Sequence, residues 1–327
     1  MAQIVFGLGT SHTPMLLADP TDLPRYEEND RRLSLLDCDG QKATFDMMLA
    51  AAGGRYEKDV TAEALTSRHS AAREAIGRLS DALAGAALDV LIVIGDDQRE
   101  MLRGTDIPSL LVYDRPTIRS QRPPHASGRP EWTQRASGRY YADQPTDYPV
   151  AQDLARHLTG HLGQQGFAVA PAPFDTDTVP MGHAFAFIQS QVMVDPVIPI
   201  VPVLLNALYP PNQPTPAQCL AIGEGIGRAV AAFPGNSRVG IAASGGLSHF
   251  VVDEGLDGAV VRALADRDDA ALADLPLHKL NSGNAEIRNW ICAAGALKAL
   301  RVQDIAYIAG YRTRAGTGVG LGFATWR

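Results

Sequence analysis

Short apolar runs alternate with longer helical stretches along most of this 327-residue chain. Most of the runs are rich in Val, Ile and Leu and lack strict alternation, which is typical of strands buried on both faces. The pattern predicts an α/β fold in three α/β/α layers, with a twisted, mostly parallel or mixed sheet. Strands are expected at 4–6, 90–94, 109–113, 168–171, 198–205 and 239–243, and helices at 62–84, 150–163, 216–232 and 258–273.

Two segments interrupt this alternation, at about 19–56 and 116–148. Both are too long for ordinary connections, and long loops in a compact domain are usually lids or binding loops. We therefore expect a single domain over 1–327 with two lid-like insertions, although a surface excursion or a subunit contact is the alternative. The second insertion carries side chains suited to stacking on a ring and pairing with a carboxylate, namely Trp132, Tyr140, Tyr141, Tyr148, Arg135 and Arg139.

The composition of the chain indicates which kinds of partner the protein does not bind. The net charge is -7 and no tract is dense in Lys and Arg, which argues against a nucleic acid or an anionic membrane as partner. No apolar run approaches the roughly 18 residues of a membrane span, and the first residues do not resemble a secretion signal. Three widely spaced cysteines indicate neither a disulfide framework nor a structural zinc site. A cytoplasmic protein that acts on a small molecule is expected.

The Gly-x-Gly-x-Gly pattern at 223–227 differs in spacing from the dinucleotide-binding fingerprint and lies inside a predicted helix. It therefore predicts close packing of that helix against a neighbour.

Chemistry-bearing side chains stand at or just after the ends of predicted elements. They are His12 after the first strand, Asp96, Asp97 and Gln98 after the strand at 90–94, His183 after Pro180, Ser248 and His249 after the strand at 239–243, and Glu286 near a helix start. Each has a structural explanation, as a cap, a hydrogen-bonded histidine or a first-turn acid. Together, imidazoles and carboxylates at several strand ends are what a mononuclear metal site with an acid/base partner requires.

Four motifs carry a resemblance to a known family: Ser-His-Thr-Pro at 11–14, Gly-Asp-Asp-Gln at 95–98, Gly-Gly-Leu-Ser-His at 245–249 and Asn-Ala-Glu at 284–286. In their order and approximate spacing, over nearly the whole chain, they resemble the class III extradiol ring-cleavage dioxygenases, typified by the catalytic subunit of protocatechuate 4,5-dioxygenase. The resemblance implies a non-haem Fe(II), a dihydroxylated aromatic substrate, and cleavage of its ring by O2 beside the two hydroxyls.

The resemblance also implies roles for individual residues. His12 and Glu286 match iron ligands, His249 matches an acid/base histidine, and His183 resembles a further catalytic histidine that lines the pocket. Substrate contacts are assigned to Ser248, Tyr148 and Gly246.

Gln98 departs from the family pattern, because it stands where the second histidine ligand is expected. Its amide oxygen is assigned as the third iron ligand, and the 3-O-methylgallate dioxygenase-like branch resembles this chain in that segment. Asp97 could take the position instead, and His69 could reach in from its helix.

A homo-oligomer such as a dimer is expected, in which the 19–56 insertion covers the site. The rival functions are a metal-dependent hydrolase or decarboxylase, and a non-catalytic binding protein on the same scaffold.

Overall fold

A mixed sheet of nine strands forms the centre of the protein. The structure, a computed structural model, describes residues 1–104, 106–123, 129–172 and 179–327. Its strands are β1 (Gln3–Thr10), β2 (Leu35–Leu36), β3 (Lys42–Ala43), β4 (Val90–Gly95), β5 (Leu110–Val112), β6 (Thr117–Ser120), β7 (Thr146–Pro149), β8 (Ala170–Pro171), β9 (Ile200–Leu205), β10 (Arg238–Ser244), β11 (His249–Val251), β12 (Val302–Tyr311) and β13 (Thr317–Trp326).

Helices cover the sheet. They are α1 (Tyr26–Asp30), α2 (Phe45–Ala52), α3 (Ala62–Ala84), α4 (Glu131–Gly138), α5 (Gln152–Gln164), α6 (His183–Phe187), α7 (Pro216–Ala232), α8 (Glu254–Asp266), α9 (Asp269–Ala273) and α10 (Ile287–Ala296). Short 3-10 turns lie at Pro14–Leu17, Pro20–Arg25, Glu57–Val60, Leu277–Lys279 and Ser282–Glu286, and a π-helical turn at Ile188–Val192 follows α6. None of the helices in the described residues is both long and apolar enough to cross a bilayer.

The sheet runs in the order β11-β13-β1-β10-β4-β9-β5-β8, and β12 pairs with the other side of β13. The central strands β1, β10, β4 and β9 are parallel to their neighbours in this series. Pairings with β13, and the pairing of β5 with β9, are antiparallel. The predicted α/β fold with a mixed sheet is confirmed.

Two hydrophobic clusters fill the layers on either face of the sheet. Successive residues of β4 alternate between them, because side chains along a strand point to opposite faces. Leu91 and Val93 join the cluster that includes α3, whereas Ile92 and Ile94 join the cluster that includes α5, α7 and α10. A strand buried on both faces therefore has no polar alternation in its sequence.

All six predicted strands are present in the central sheet, whereas no local pattern predicts its other three strands, β11, β12 and β13. β13 has glycine at every second position from 318 to 322, and glycine is depleted in strands in general. Here the absent side chains leave room for neighbours: a Cβ on Gly320 would lie 2.0 Å from Asp257 Oδ2. The single helix predicted at 258–273 is instead two helices, because Arg267 adopts a left-handed conformation with φ 58° between α8 and α9.

The 19–56 insertion is anchored to the C-terminal end of β12. Asp30, fully buried at the end of α1, accepts hydrogen bonds from Arg312 at 2.8 and 3.0 Å and from the Thr317 hydroxyl at 2.6 Å. Further along the insertion, Leu35 and Phe45 pack against Val251 of β11. The insertion therefore lies beside the strand that begins with His249.

The parallel strands place three chain segments at one edge of the sheet. β1 ends at Thr10, β4 at Gly95 and β10 at Ser244, and ligands of open α/β sheets bind at this carboxyl edge. The predicted site motifs at 11–14, 95–98 and 245–249 start there.

Helices α7 and α10 cross in close contact at their glycines. A Cβ on Gly223 would lie 1.9 Å from the carbonyl oxygen of Cys292, and one on Gly295 would lie 2.2 Å from that of Leu220. The prediction that the glycine pattern serves helix packing is confirmed.

This crossing predicts a position-dependent effect of adding one methyl group. Gly223→Ala should lower the free energy of unfolding by about 1–3 kcal/mol, because backbone must move to admit the Cβ. Gly227→Ala, one turn later, is the control: its Cβ would meet Ala296 at an ordinary 3.4 Å, and alanine favours helix. Urea unfolding measures both, and equal midpoints would contradict the packing argument.

Candidate active site

Three donor side chains converge at the carboxyl edge of the sheet. His12 follows β1, His183 begins α6, and Glu286 directly precedes α10. The Nε2 atom of His12 lies 3.2 Å from Nε2 of His183 and 3.3 Å from Oε2 of Glu286. All three donor atoms lie within 4.8 Å of one another. Donors bound to one ion at about 2.1 Å can be separated by at most about 4.2 Å, so the cluster has nearly the dimensions of a metal site.

Each imidazole of this cluster is oriented through its Nδ1 atom. The hydroxyl of Ser244 donates to the carbonyl of Ala184 at 2.7 Å, and therefore accepts from His12 Nδ1 at 2.9 Å. His183 Nδ1 donates to Glu100 Oε2 at 2.6 Å. In both rings Nε2 consequently faces the centre of the cluster. Such outer partners are what hold metal-binding histidines in one orientation.

His249, the first residue of β11, approaches the same oxygen of Glu286 as His12 does. Its Nδ1 donates to the carbonyl of Leu247 at 3.0 Å, and its Nε2 lies 3.3 Å from Glu286 Oε2. The imidazole ring fits only because two neighbouring residues are glycines. A Cβ on Gly246 would lie 2.3 Å from the ring, and a Cβ on Gly283 would lie 2.2 Å from the Cβ of His249. The backbone amide of Gly246 also donates to Glu286 Oε2 at 2.7 Å.

The charges of the cluster are strongly coupled. Burial raises the pKa of Glu286, but His249 and His12 beside it hold that pKa below its usual range. Burial likewise opposes the charge of His183, yet Glu100 raises the pKa of His183 to about 10. The carboxylates of Glu286 and Glu100 beside these imidazoles favour a cation at the centre, and a divalent ion can take the place of a histidine proton.

Asp96 supplies a further observation that fits a cation. It is completely buried after β4, and burial followed by the nearby Glu286 raises its pKa. Its Oδ1 accepts from Asn289 at 3.1 Å, whereas within the described residues its Oδ2 has no hydrogen-bond partner. A buried polar atom without a partner is costly unless something absent from the chain satisfies it.

Gln98, Asp97 and His69, the three candidates for the remaining ligand position, have different surroundings in the structure. Gln98 is exposed at the rim of the cluster, and its amide nitrogen lies 3.4 Å from Glu286 Oε1. The two carboxylate oxygens of Asp97 accept from the backbone amides of Met101 and Leu102. His69 lies on α3 with its Nε2 3.1 Å from the carbonyl of Leu16.

Two of the residues assigned to substrate contacts have other partners in the structure. The Ser248 hydroxyl donates to Asp257 at 2.7 Å, which fixes the start of β11 against α8. Tyr148 is half-buried on β7 opposite Ile118 and packs against the hydrophobic core. Their roles toward a substrate stay predictions.

The 116–148 insertion forms a wall of the site. The Tyr140 hydroxyl donates to the backbone carbonyl of His12, and the Tyr141 hydroxyl donates to Glu100 Oε1 at 3.3 Å. Trp132 packs instead on Tyr26 of the first insertion, with ring centroids 4.7 Å apart. The residues at 124–128, within the same insertion, lie outside the described residues.

Sequence reasoning missed Ser244, Glu100 and Asn289. Asn289 follows Glu286 by three residues, and helical spacing alone places them on one face; its amide donates to both Asp96 and the Ser244 carbonyl. Ser244 and Glu100 lie inside segments already singled out, but their role depends on histidines distant in the sequence.

Comparison with known proteins agrees with this geometry. The family model described as the catalytic LigB subunit of aromatic ring-opening dioxygenase matches residues 47–320. Over 100 residues the chain is 33% identical to a 2,3-dihydroxyphenylpropionate/2,3-dihydroxicinnamic acid 1,2-dioxygenase of Comamonas testosteroni, a match that spans 31% of this chain and 30% of that protein. The chain belongs to the family of catalytic subunits of aromatic ring-opening dioxygenases, the class III extradiol family that its motifs resemble.

Proposed function

We propose that this protein is a non-haem Fe(II) extradiol dioxygenase that opens a catechol-type ring with O2. The observation that carries the proposal is the cluster of His12, His183 and Glu286, whose donor atoms meet within 4.8 Å at the carboxyl edge of the sheet. Two imidazoles and one carboxylate on one face of an ion are the donor set of non-haem Fe(II) oxygenases. Family membership and a relative named for a dihydroxylated aromatic substrate support the same reaction.

The proposed iron ligands are His12, His183 and Glu286. The family motif has a second histidine ligand at the position of Gln98, and in this proposal His183 supplies that imidazole instead. The Nδ1 atom of His183 is bound to Glu100, and its Nε2 atom is turned toward His12. When bound, Fe(II) lowers the pKa of a catechol hydroxyl and offers open coordination positions to both reactants. Gln98 is exposed at the rim beside Glu286, and its proposed role is contact with the substrate. The assignment of Gln98 as a ligand stays the competing prediction.

His249 is the proposed acid/base group. Because Nδ1 donates to Leu247, Nε2 is the atom that can accept a proton from the second hydroxyl of the substrate and return one as the ring opens. The side chain is only 11% exposed, so water has limited access to that proton. Once Nε2 carries that proton, Glu286 Oε2, 3.3 Å away, can accept a hydrogen bond from it.

Ring opening by the iron-loaded protein tests the proposed function. Protein purified anaerobically and loaded with Fe(II) is expected to consume O2 with a catechol and to transfer both atoms of labelled dioxygen to the product. His12→Ala should lose both bound iron and O2 uptake, because it removes a donor imidazole. His161→Ala, a change at the end of α5, is the control and should retain both. A catechol left intact by the iron-loaded protein contradicts the proposal.

A second variant separates proton transfer from metal binding. His249→Gln keeps a polar side chain in the space left by Gly246 and removes the imidazole. Bound iron should be unchanged, while kcat should fall by about 10²- to 10⁴-fold, the usual effect of removing a positioned acid/base group. His161, at the end of α5 and changed to Gln, serves as the control for an imidazole away from the site. Loss of iron from His249→Gln would instead show that His249 is a ligand.

A further inference from the structure

A second cleft of about 450 Å³ lies next to the proposed iron centre. Tyr141 connects the two places, because its side chain lines the cleft while its hydroxyl donates to Glu100, the partner of His183. Leu16 and Leu17, in the turn that follows His12, line the cleft as well. The cleft therefore adjoins the proposed iron centre through two chain segments, but none of His12, His183 and Glu286 lines it.

The charged lining of this cleft is mainly basic. It contains Arg73 of α3, Arg122 and Arg139 of the second insertion, and His69, whereas Asp143 is the one carboxylate that lines it among the described residues. Asp143 is already paired with Arg122 at 2.6 Å. Arg73 and Arg139 are therefore the two arginines of the cleft that could bind another anion.

Arg73 and Arg139 are held by neutral partners. Arg73 Nη1 donates to the side-chain oxygen of Gln191 at 2.9 Å, and Arg139 Nη1 donates to the carbonyl of Leu17 at 2.6 Å. Within the described residues neither guanidinium forms an ion pair: Asp19, the carboxylate that feels the charge of Arg139, accepts from the amide and hydroxyl of Thr21 instead. Arginine with several unused donors is suited to bidentate recognition of a carboxylate.

The electrostatics of the cleft support the same conclusion. Burial first, and then the charge of Arg139, hold the pKa of Arg73 below its usual value. Burial also lowers the pKa of His69; Arg73 and Arg139 act in the same direction, whereas the hydrogen bond to Leu16 and the charge of Asp19 act against them. Like charges that disfavour one another in this way are stabilised by an anion between them.

Uncharged polar side chains line the cleft beside the arginines. Ser190 and Gln191 reach it from the π-helical turn Ile188–Val192, and the Gln191 amide nitrogen lies 3.2 Å from the Arg139 carbonyl. A π-helical turn departs from regular helix geometry and frequently occurs at functional sites. Gln191 thus links the guanidinium of Arg73 to the backbone of Arg139.

We propose that this cleft is a binding site for the carboxylate of a small organic acid, held by Arg73 and Arg139. Its volume is within the range of small-molecule sites. The carboxylate can belong to a side chain of the aromatic substrate or to a separate acid. The first source rests on the proposed dioxygenase function, whereas binding itself does not.

Binding of benzoate, a simple aromatic carboxylate, tests the proposal by calorimetry on the iron-loaded protein. Arg73→Gln should weaken benzoate binding by about tenfold or more, the loss expected for a charged hydrogen-bond partner, and Arg73→Lys should restore part of it. Arg78→Gln, on the same helix and paired loosely with Asp304 at 3.9 Å, is the matched control and should bind as the wild type does. His12→Ala should also bind benzoate normally, even without iron.

Two results would overturn the proposal. Benzoate affinity unchanged in both Arg73→Gln and Arg139→Gln would show that the cleft binds no carboxylate. Benzoate affinity lost only in His12→Ala would place the carboxylate at the iron centre instead. Neither result depends on turnover, so failure of the cleft and failure of the dioxygenase function remain distinguishable.

Turnover then identifies the source of the carboxylate. If the substrate carries it, Arg73→Gln should raise KM for a catechol with a carboxylate side chain by about tenfold and leave KM for unsubstituted catechol unchanged. If a separate acid binds, both KM values stay unchanged and the effect of benzoate on the rate disappears in the variant. Each outcome supports a carboxylate site in the cleft.

Discussion

The hydroxyl of Ser244 joins the chain segments on which the site depends. It is the last residue of β10, it accepts from His12 after β1, and it donates to Ala184 in α6. One side chain thereby sets the orientation of the His12 ring and the position of the helix that begins with His183. The parallel pairing of β1 with β10 makes this possible, because both strands end at the same edge of the sheet.

The two insertions complete the site from outside the sheet. The first is held by the buried pair of Asp30 and Arg312 and packs beside β11, which carries His249. The second contributes Tyr140 and Tyr141, whose hydroxyls bind the backbone of His12 and the carboxylate of Glu100. Buried charges are retained only when they are paired and hydrogen-bonded, so these contacts fix segments that their length alone would leave variable.

Local signals in the sequence were sufficient for much of this architecture. Thr215 forms a capping box with Gln218, and Pro216 occupies the first position of α7. The apolar run of β4 ends at Gly95 as its composition indicates. β12 and β13 could not be predicted in the same way. The glycines of β13 are explained by Asp257 and other side chains that occupy their space, and those contacts exist only in the folded protein.

In the candidate site, too, some features follow from local sequence signals and others depend on contacts that exist only in the folded protein. The positions of His12, His183 and Glu286 at element ends could be predicted from the sequence, whereas the ligand roles of His12 and Glu286 were implied by the family resemblance. The role of His183 depends on Glu100, 83 residues earlier, and on His12, 171 residues earlier. No local pattern encodes those distances, and a motif-based assignment therefore favoured Gln98, which stands directly after the strand.

The central claim is that His183, and not Gln98, completes the metal site with His12 and Glu286. Iron content after anaerobic loading with Fe(II) tests it most directly, measured in His183→Ala and Gln98→Ala beside the wild type. The structure predicts that Gln98→Ala retains iron as the wild type does, because the amide lies at the exposed rim, and that His183→Ala loses it. Iron retained by His183→Ala and lost by Gln98→Ala would contradict this account.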